Sequence, residues 1–86
     1  MTYFKIIAKK DCPFCIKARL LLMEKGVQFE FTDLDCSPVL LQGYKSQYQQ
    51  GTVPIVVLKD LDNSNEFFIG GFTDLVEYFK NRPEDK

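Results

Sequence analysis

The hydrophobic pattern of this chain changes its period repeatedly, and the order of those periods limits the fold more than any other feature. In residues 2–8 and 27–32 successive side chains fall on alternate faces, as they do in a strand. In the first of these segments Phe4, Ile6 and Ala8 share one face. Residues 14–25 repeat apolar side chains at helical spacing, and Gly26 is placed to end that helix. Strand, helix and strand in this order predict a right-handed parallel crossover. The alternation in residues 27–32 leaves one face of the second strand polar, which predicts a strand at the edge of the sheet.

The sequence predicts an apolar face for each of the first two helices and a starting point for the second. The first helix is expected to bury one face, and the second helix is expected to begin with Ser37 as its N-cap and Pro38 as its first residue. The predicted apolar faces are Phe14, Ala18, Leu21 and Leu22 in the first helix, and Leu40, Leu41, Tyr44 and Tyr48 in the second.

The last third of the chain predicts a hairpin followed by a helix. Residues 54–58 form a continuous apolar run, typical of a central strand covered on both faces, and residues 66–69 return beside it after a polar turn. Two glycines then precede a helix whose basic residues, Lys80 and Arg82, come late. The whole order is βαβαββα, which predicts the α/β class, with a mixed four-stranded sheet flanked by helices in one domain over residues 1–86.

Composition excludes several classes of function. The formal net charge is −1, whereas a general nucleic-acid binder needs a basic surface, so no nucleic-acid partner is expected. No apolar run approaches the roughly 20 residues that span a bilayer, and the first residues do not have the pattern of a signal peptide. We therefore expect no membrane partner and a cytoplasmic, reducing location. The chain has no histidine, which excludes histidine-based catalysis and zinc sites.

Two of the three cysteines, Cys12 and Cys15, lie where the first strand gives way to the first helix. Pro13 suits the first helical position, which makes Cys12 the N-cap. A thiolate there can accept hydrogen bonds from the free N–H groups of Phe14 and Cys15 at the positive end of the helix dipole. Lys9, just upstream, adds positive charge. The sequence therefore predicts Cys12 as the nucleophile and Cys15, one turn later, as the resolving thiol.

Two other interpretations of the cysteines fit the sequence less well. Both members of the pair can be buried structural residues, but their place at the mouth of a helix favours redox chemistry. A zinc site needs about four ligands, and the pair with the remote Cys36 does not supply them, so no metal ligand is predicted. Cys36 itself follows the second strand and is expected to be partly buried and without a redox role.

Three motifs follow one another along the chain: Cys-Pro-Phe-Cys at residues 12–15 with Lys9 before it, Thr52-Val53-Pro54, and Gly-Gly-Phe-Thr-Asp-Leu at residues 70–75. Together they resemble the glutaredoxin family, and the resemblance covers nearly the whole chain. Dithiol glutaredoxins most often have tyrosine where this chain has Phe14. The resemblance implies a thioredoxin-like fold, a cis Val53–Pro54 bond, and glutathione as a reducing co-substrate with no tightly bound cofactor. The Val53 N–H and C=O are expected to be unpaired and open to an extended peptide.

The resemblance also implies where glutathione binds. The N–H groups of Thr73 and Asp74 at the start of the last helix would bind the γ-glutamyl carboxylate, and the Asp74 side chain its ammonium. Lys9 would suit the glycyl carboxylate at the other end. The implied contacts are Lys9, Phe14, Thr52, Val53, Pro54, Gly71, Phe72, Thr73 and Asp74.

As a function, the resemblance implies a monomeric, glutathione-dependent oxidoreductase that reduces protein disulfides and glutathionylated proteins. One alternative is an iron–sulfur carrier that uses Cys12 of two subunits and two glutathiones, although Pro13 and Cys15 argue against it. Another is an electron donor dedicated to a reductase such as ribonucleotide reductase, supplied by thioredoxin reductase instead of glutathione.

Overall fold

A computed structural model describes residues 2–81, and these residues form the predicted order βαβαββα. The elements are β1 (Thr2–Ala8), α1 (Pro13–Lys25), β2 (Phe29–Asp33), α2 (Pro38–Gln47), β3 (Ile55–Asp60), β4 (Asn65–Gly70) and α3 (Phe72–Lys80). The second strand starts two residues later than its alternation predicts. Arg82, expected near the end of the last helix, lies outside the described residues.

The strands form one four-stranded sheet in the order β2-β1-β3-β4. β1 runs parallel to β2 and antiparallel to β3, so that Ile6 lies beside Phe31 on one side and Val56 on the other. β3 and β4 form the antiparallel hairpin. The mixed sheet, the parallel crossover and the edge position of β2 are confirmed.

Two hydrophobic cores cover the two faces of this sheet. On one face, residues of α1 and α3 pack against β1 and β3; on the other, Leu34 and Leu41 pack against the same two strands. Ile55, Val56 and Val57 are all buried, as a strand covered on both faces requires. The fold therefore has three layers, with the sheet between an α1–α3 layer and α2.

The predicted apolar face of each of the first two helices is wrong at one residue. Phe14 is 53% exposed and Leu40 is 57% exposed. In α1 the buried stripe is Cys15, Ala18 and Leu22 instead, at spacings of three and four residues. A residue next to such a stripe is turned about 100° away from it, so its apolar character does not bring it into the core.

Glycine is required at the last residue of β4. Gly70 has φ +124°, outside the range that other residues readily adopt, and a Cβ there would collide with the Asp74 carboxylate. We expect Gly70→Ala to lower the free energy of unfolding by about 2–3 kcal/mol, measured from the urea midpoint. Gly43→Ala is the matched control, because a Cβ at Gly43 meets no described atom within 4 Å. It lies inside α2 and should raise stability by about 0.5–1 kcal/mol; equal losses in the two variants would contradict this account of Gly70.

Candidate active site

Cys12 lies at the N-cap of α1, as its position before Pro13 predicts. Its Sγ accepts a hydrogen bond from the Cys15 N–H at 3.2 Å. The turn before it is held by two bonds: the Cys12 N–H donates to the Lys9 carbonyl at 3.4 Å, and the Lys10 N–H donates to Asp35 Oδ2 at 2.9 Å. The partly exposed sulfur thus sits at the positive end of the helix, where negative charge on it is stabilised. The second expected donor, the Phe14 N–H, makes no such bond.

The loop before β3 lies against Cys12. Its Val53–Pro54 peptide bond is cis, as the family resemblance implies. The Cys12 Sγ lies 3.8 Å from the Val53 carbonyl and donates to it as a thiol. The expectation of an unpaired Val53 carbonyl is therefore wrong in this state, because the carbonyl faces the sulfur instead of open solvent. The two sites predicted from separate motifs are adjacent.

Gln50 is a residue of the site that sequence reasoning missed. Its side-chain amide donates to the Thr52 carbonyl at 3.0 Å and to the Pro54 carbonyl at 2.8 Å. It therefore holds the backbone on both sides of Val53. A polar residue in a loop carries no sequence signal of such a role, since the two carbonyls it binds become its neighbours only in the folded loop.

Cys15 is fully buried beneath Cys12. Burial, and secondarily the hydrogen bond with Cys12, raise the pKa of the Cys15 thiol to about 12. A thiol with such a pKa stays protonated at neutral pH and is a weak nucleophile. The two cysteines therefore differ in exposure and in chemistry, and the asymmetry has the direction that the sequence predicts.

This asymmetry predicts which cysteines are alkylated and which one is spared. With iodoacetamide at pH 8 we expect Cys12 and the exposed Cys36 to be modified while Cys15 remains a thiol, because it is buried and its pKa is about 12. Peptide mass spectrometry of the reduced protein, sampled over time, measures the three rates. In urea all three rates should converge; a native rate for Cys15 equal to that of Cys36 would contradict the burial.

Two aromatic side chains lie together beside the redox pair. The Phe14 and Phe72 rings have centroids 6.0 Å apart and are inclined by 36°. The Lys17 ammonium lies 5.2 Å from the centroid of the Phe14 ring. The exposure of Phe14, unexpected from its place in the helical pattern, thus makes it part of a surface that joins the first turns of α1 and α3.

The start of α3 supplies backbone donors and a carboxylate. The first bond within this helix is from the Leu75 N–H to the Gly71 carbonyl at 3.0 Å, so the N–H groups of Thr73 and Asp74 precede the helical ladder. The Asp74 Oδ2 accepts from the Gly71 N–H at 2.9 Å. A Cβ at Gly71 would lie 3.7 Å from the Pro54 carbonyl, which brings this helix start next to the cis-proline loop.

Three of the other predicted site residues, Lys9, Thr52 and Thr73, are exposed. Cys36 was expected to be partly buried and is exposed, because it lies in the turn after β2 instead of against the sheet.

Residues 2–81 lack two further structural features. They contain no group of three or more histidine, cysteine or carboxylate side chains arranged to hold a metal ion. None of their helices is long and apolar enough to cross a bilayer.

Comparisons with known proteins agree with this geometry. The sequence profile of the glutaredoxin family matches residues 3–61. Glutaredoxin 1 of Francisella tularensis, solved with cacodylate, superposes with a TM-score of 0.71 at 26% identity, over 94% of this chain and 95% of that one. The holo form of glutaredoxin C1 from Populus tremula x tremuloides gives 0.70 at 24% identity, over 92% and 75% of the two chains.

Reduced Escherichia coli glutaredoxin gives a TM-score of 0.68 at 21% identity, over 93% of this chain and 95% of that one. At these identities the Populus and Escherichia coli structures show likeness of fold alone. No curated protein matches the sequence. The thioredoxin-like fold that the family resemblance implies is confirmed.

Proposed function

The chain belongs to the glutaredoxin family of thiol–disulfide oxidoreductases, and we propose that it uses glutathione to reduce protein disulfides and glutathionylated proteins. The observation that carries this proposal is the environment of Cys12. The sulfur is partly exposed, accepts the Cys15 N–H at 3.2 Å, and lies above a buried second thiol. This arrangement suits one attacking and one resolving sulfur.

The first step forms one disulfide bond and breaks another. The Cys12 thiolate attacks a sulfur of the substrate disulfide, a mixed disulfide with Cys12 forms, and the other substrate sulfur leaves as a thiolate that takes up a proton. With a protein disulfide, Cys15 then loses its proton, attacks the Cys12 sulfur and releases the reduced substrate. Two glutathiones reduce the resulting Cys12–Cys15 disulfide and leave as glutathione disulfide, so two electrons pass from glutathione to substrate.

A glutathionylated substrate needs a shorter route. Attack by Cys12 on the glutathionyl sulfur releases the protein thiol and leaves glutathione on Cys12. A second glutathione then attacks this mixed disulfide and restores Cys12 as glutathione disulfide departs. Cys15 is not required in this route, because the second glutathione replaces it.

Glutathione is proposed to bind between the start of α3 and the cis-proline loop. The backbone N–H groups of Thr73 and Asp74 suit its γ-glutamyl carboxylate, and Asp74 its ammonium, sharing that side chain with the Gly71 N–H. The Val53 backbone beside Cys12 suits the extended peptide, with Lys9 toward the glycyl carboxylate. Support comes from the proximity of Gly71 to Pro54 and of Phe14 to Phe72.

A coupled assay tests the dependence on glutathione. The protein is supplied with glutathione, glutathione reductase, NADPH and the mixed disulfide of glutathione with mercaptoethanol, and NADPH consumption is followed. Saturating, protein-dependent turnover is the expected result. Activity only when thioredoxin reductase replaces glutathione and its reductase would overturn the proposed reductant while leaving the family assignment intact.

A further inference from the structure

The solvent side of α1 carries an apolar stripe that the redox chemistry does not use. We call Ile16, Leu20 and Met23 the α1 outer stripe; their side chains are 43%, 53% and 57% exposed. The three follow Cys12 at intervals of four, four and three residues, which places them on one line along the helix surface. The stripe therefore begins at the N-cap cysteine and runs away from it.

The opposite side of α1 is already occupied by the core. Cys15, Ala18 and Leu22 are fully buried against the sheet and α3. A helix that is apolar on opposite sides is typical of one packed on both sides. Within residues 2–81, no member of the α1 outer stripe belongs to either hydrophobic core. This face is thus apolar without a covering element in the described part of the chain.

The charge around the stripe differs in sign from that of the rest of the chain. Residues 9–25 hold five basic and two acidic side chains, whereas the remaining residues hold six basic and ten acidic ones. On α1, Lys17 and Arg19 flank the stripe on its two edges, and Glu24 lies near its far end. A partner whose apolar side chains cover the stripe would therefore gain from acidic groups beside them.

We propose, on the basis of the proposed function, that the α1 outer stripe docks the part of a protein substrate next to its reactive disulfide. That segment carries apolar side chains interspersed with acidic ones. From Cys12 to Met23 the helix rises about 16 Å, at 1.5 Å per residue. An extended chain covers this distance with about five residues, so the recognised segment lies within about five residues of the substrate cysteine.

The continuity of the stripe with Cys12 is what favours a substrate over other occupants. A substrate is held at Cys12 by a covalent bond during the mixed-disulfide stage, so even a weak contact beside the sulfur acts at high effective concentration. A contact of this kind affects the efficiency of reduction of proteins and peptides. It leaves small disulfides unaffected, because they do not reach the stripe.

Peptides and two matched variants test the proposal. The peptides share an intramolecular disulfide and differ in the five residues on each side of it: leucine and glutamate, leucine and lysine, or glycine and serine. The stripe variant is Leu20→Ser with Met23→Ser. The control variant is Val39→Ser with Leu40→Ser, which removes two side chains of α2 that are 84% and 57% exposed. Each protein is assayed for kcat/KM on each peptide and on the glutathione–mercaptoethanol mixed disulfide.

For the unmodified protein we expect the leucine–glutamate peptide to be reduced best. The stripe variant should lose roughly fivefold to tenfold in kcat/KM on that peptide, with unchanged activity on the small disulfide, while the control variant loses nothing. Equal loss in both variants, or no preference among the peptides, would overturn the docking site. Loss of activity on the small disulfide in the stripe variant alone would likewise overturn the docking site, whereas failure of the unmodified protein on the small disulfide would count against the proposed function.

Sedimentation of the unmodified protein and the stripe variant separates a further outcome. A single monomeric species for both at the assay concentration is expected. A dimer that the stripe substitutions dissociate would overturn the proposal, because the stripe would then be a contact between two copies of this chain.

Discussion

Replacement of Cys12 by serine is expected to abolish both the reduction of protein disulfides and the removal of glutathione from proteins. A serine hydroxyl is not ionised at neutral pH, so it cannot attack a disulfide sulfur even though it occupies the same place. Both rates should fall to less than about a thousandth of the unmodified value, measured in the coupled assay. Serine is itself a preferred N-cap, so α1 and the thermal midpoint should be preserved.

Cys36→Ser is the matched control for this substitution, because Cys36 is exposed and lies in the turn after β2. It should retain full activity. If Cys12→Ser remained active, or if Cys36→Ser were the inactive variant, Cys12 would not be the nucleophile.

Loss of the Cys15 thiol should separate the two activities. We expect Cys15→Ser to remove glutathione from a glutathionylated protein within about threefold of the unmodified rate, since a second glutathione resolves the mixed disulfide. Reduction of a protein disulfide should fall by roughly tenfold or more, because the mixed disulfide with the substrate has no neighbouring thiol to release it. Stopped reactions separated on non-reducing gels should show this covalent complex accumulating.

The burial of Cys15 makes a second variant necessary. A hydroxyl placed at a fully buried position lacks the water it binds in the unfolded chain, which lowers stability by about 1–3 kcal/mol. Cys15→Ala removes the thiol without burying a hydroxyl, and it should separate the activities in the same way. If both folded variants lost both activities, Cys15 would act in the first step and not in resolution.

The sequence predicted those parts of the fold that depend on the period of apolar residues. The strand containing Ile55, Val56 and Val57 is continuous in apolar residues and is indeed covered on both faces. The periodicity did not predict which edge of each helical stripe is buried. Phe14 and Leu40 are apolar residues beside the buried stripe, and only the position of the sheet decides that Cys15 is buried in place of Phe14 and that Leu40 is exposed beside the buried Leu41.

The candidate site was predictable to the extent that it depends on neighbours along the chain. Cys12 as an N-cap follows from Pro13 one residue later, and the structure has it there. The contact of the Cys12 sulfur with the Val53 carbonyl joins residues 41 positions apart, and the role of Gln50 depends on the conformation of one loop. Periodicity and spacing carry no information about either, since both arise from how separate elements pack.

The cap of α1 is also the atom that changes oxidation state. In the reduced protein the Cys12 sulfur accepts the Cys15 N–H and completes the first turn of the helix. A Cys12 thiolate accepts this hydrogen bond more strongly than an uncharged disulfide sulfur does, so the helix has its stronger cap when Cys12 is reduced and ionised. A helix cap contributes about 1 kcal/mol, which for a two-electron couple corresponds to about 20 mV. Each catalytic cycle thus weakens and restores the cap of α1, and the stabilisation of the reduced form makes the protein easier to reduce.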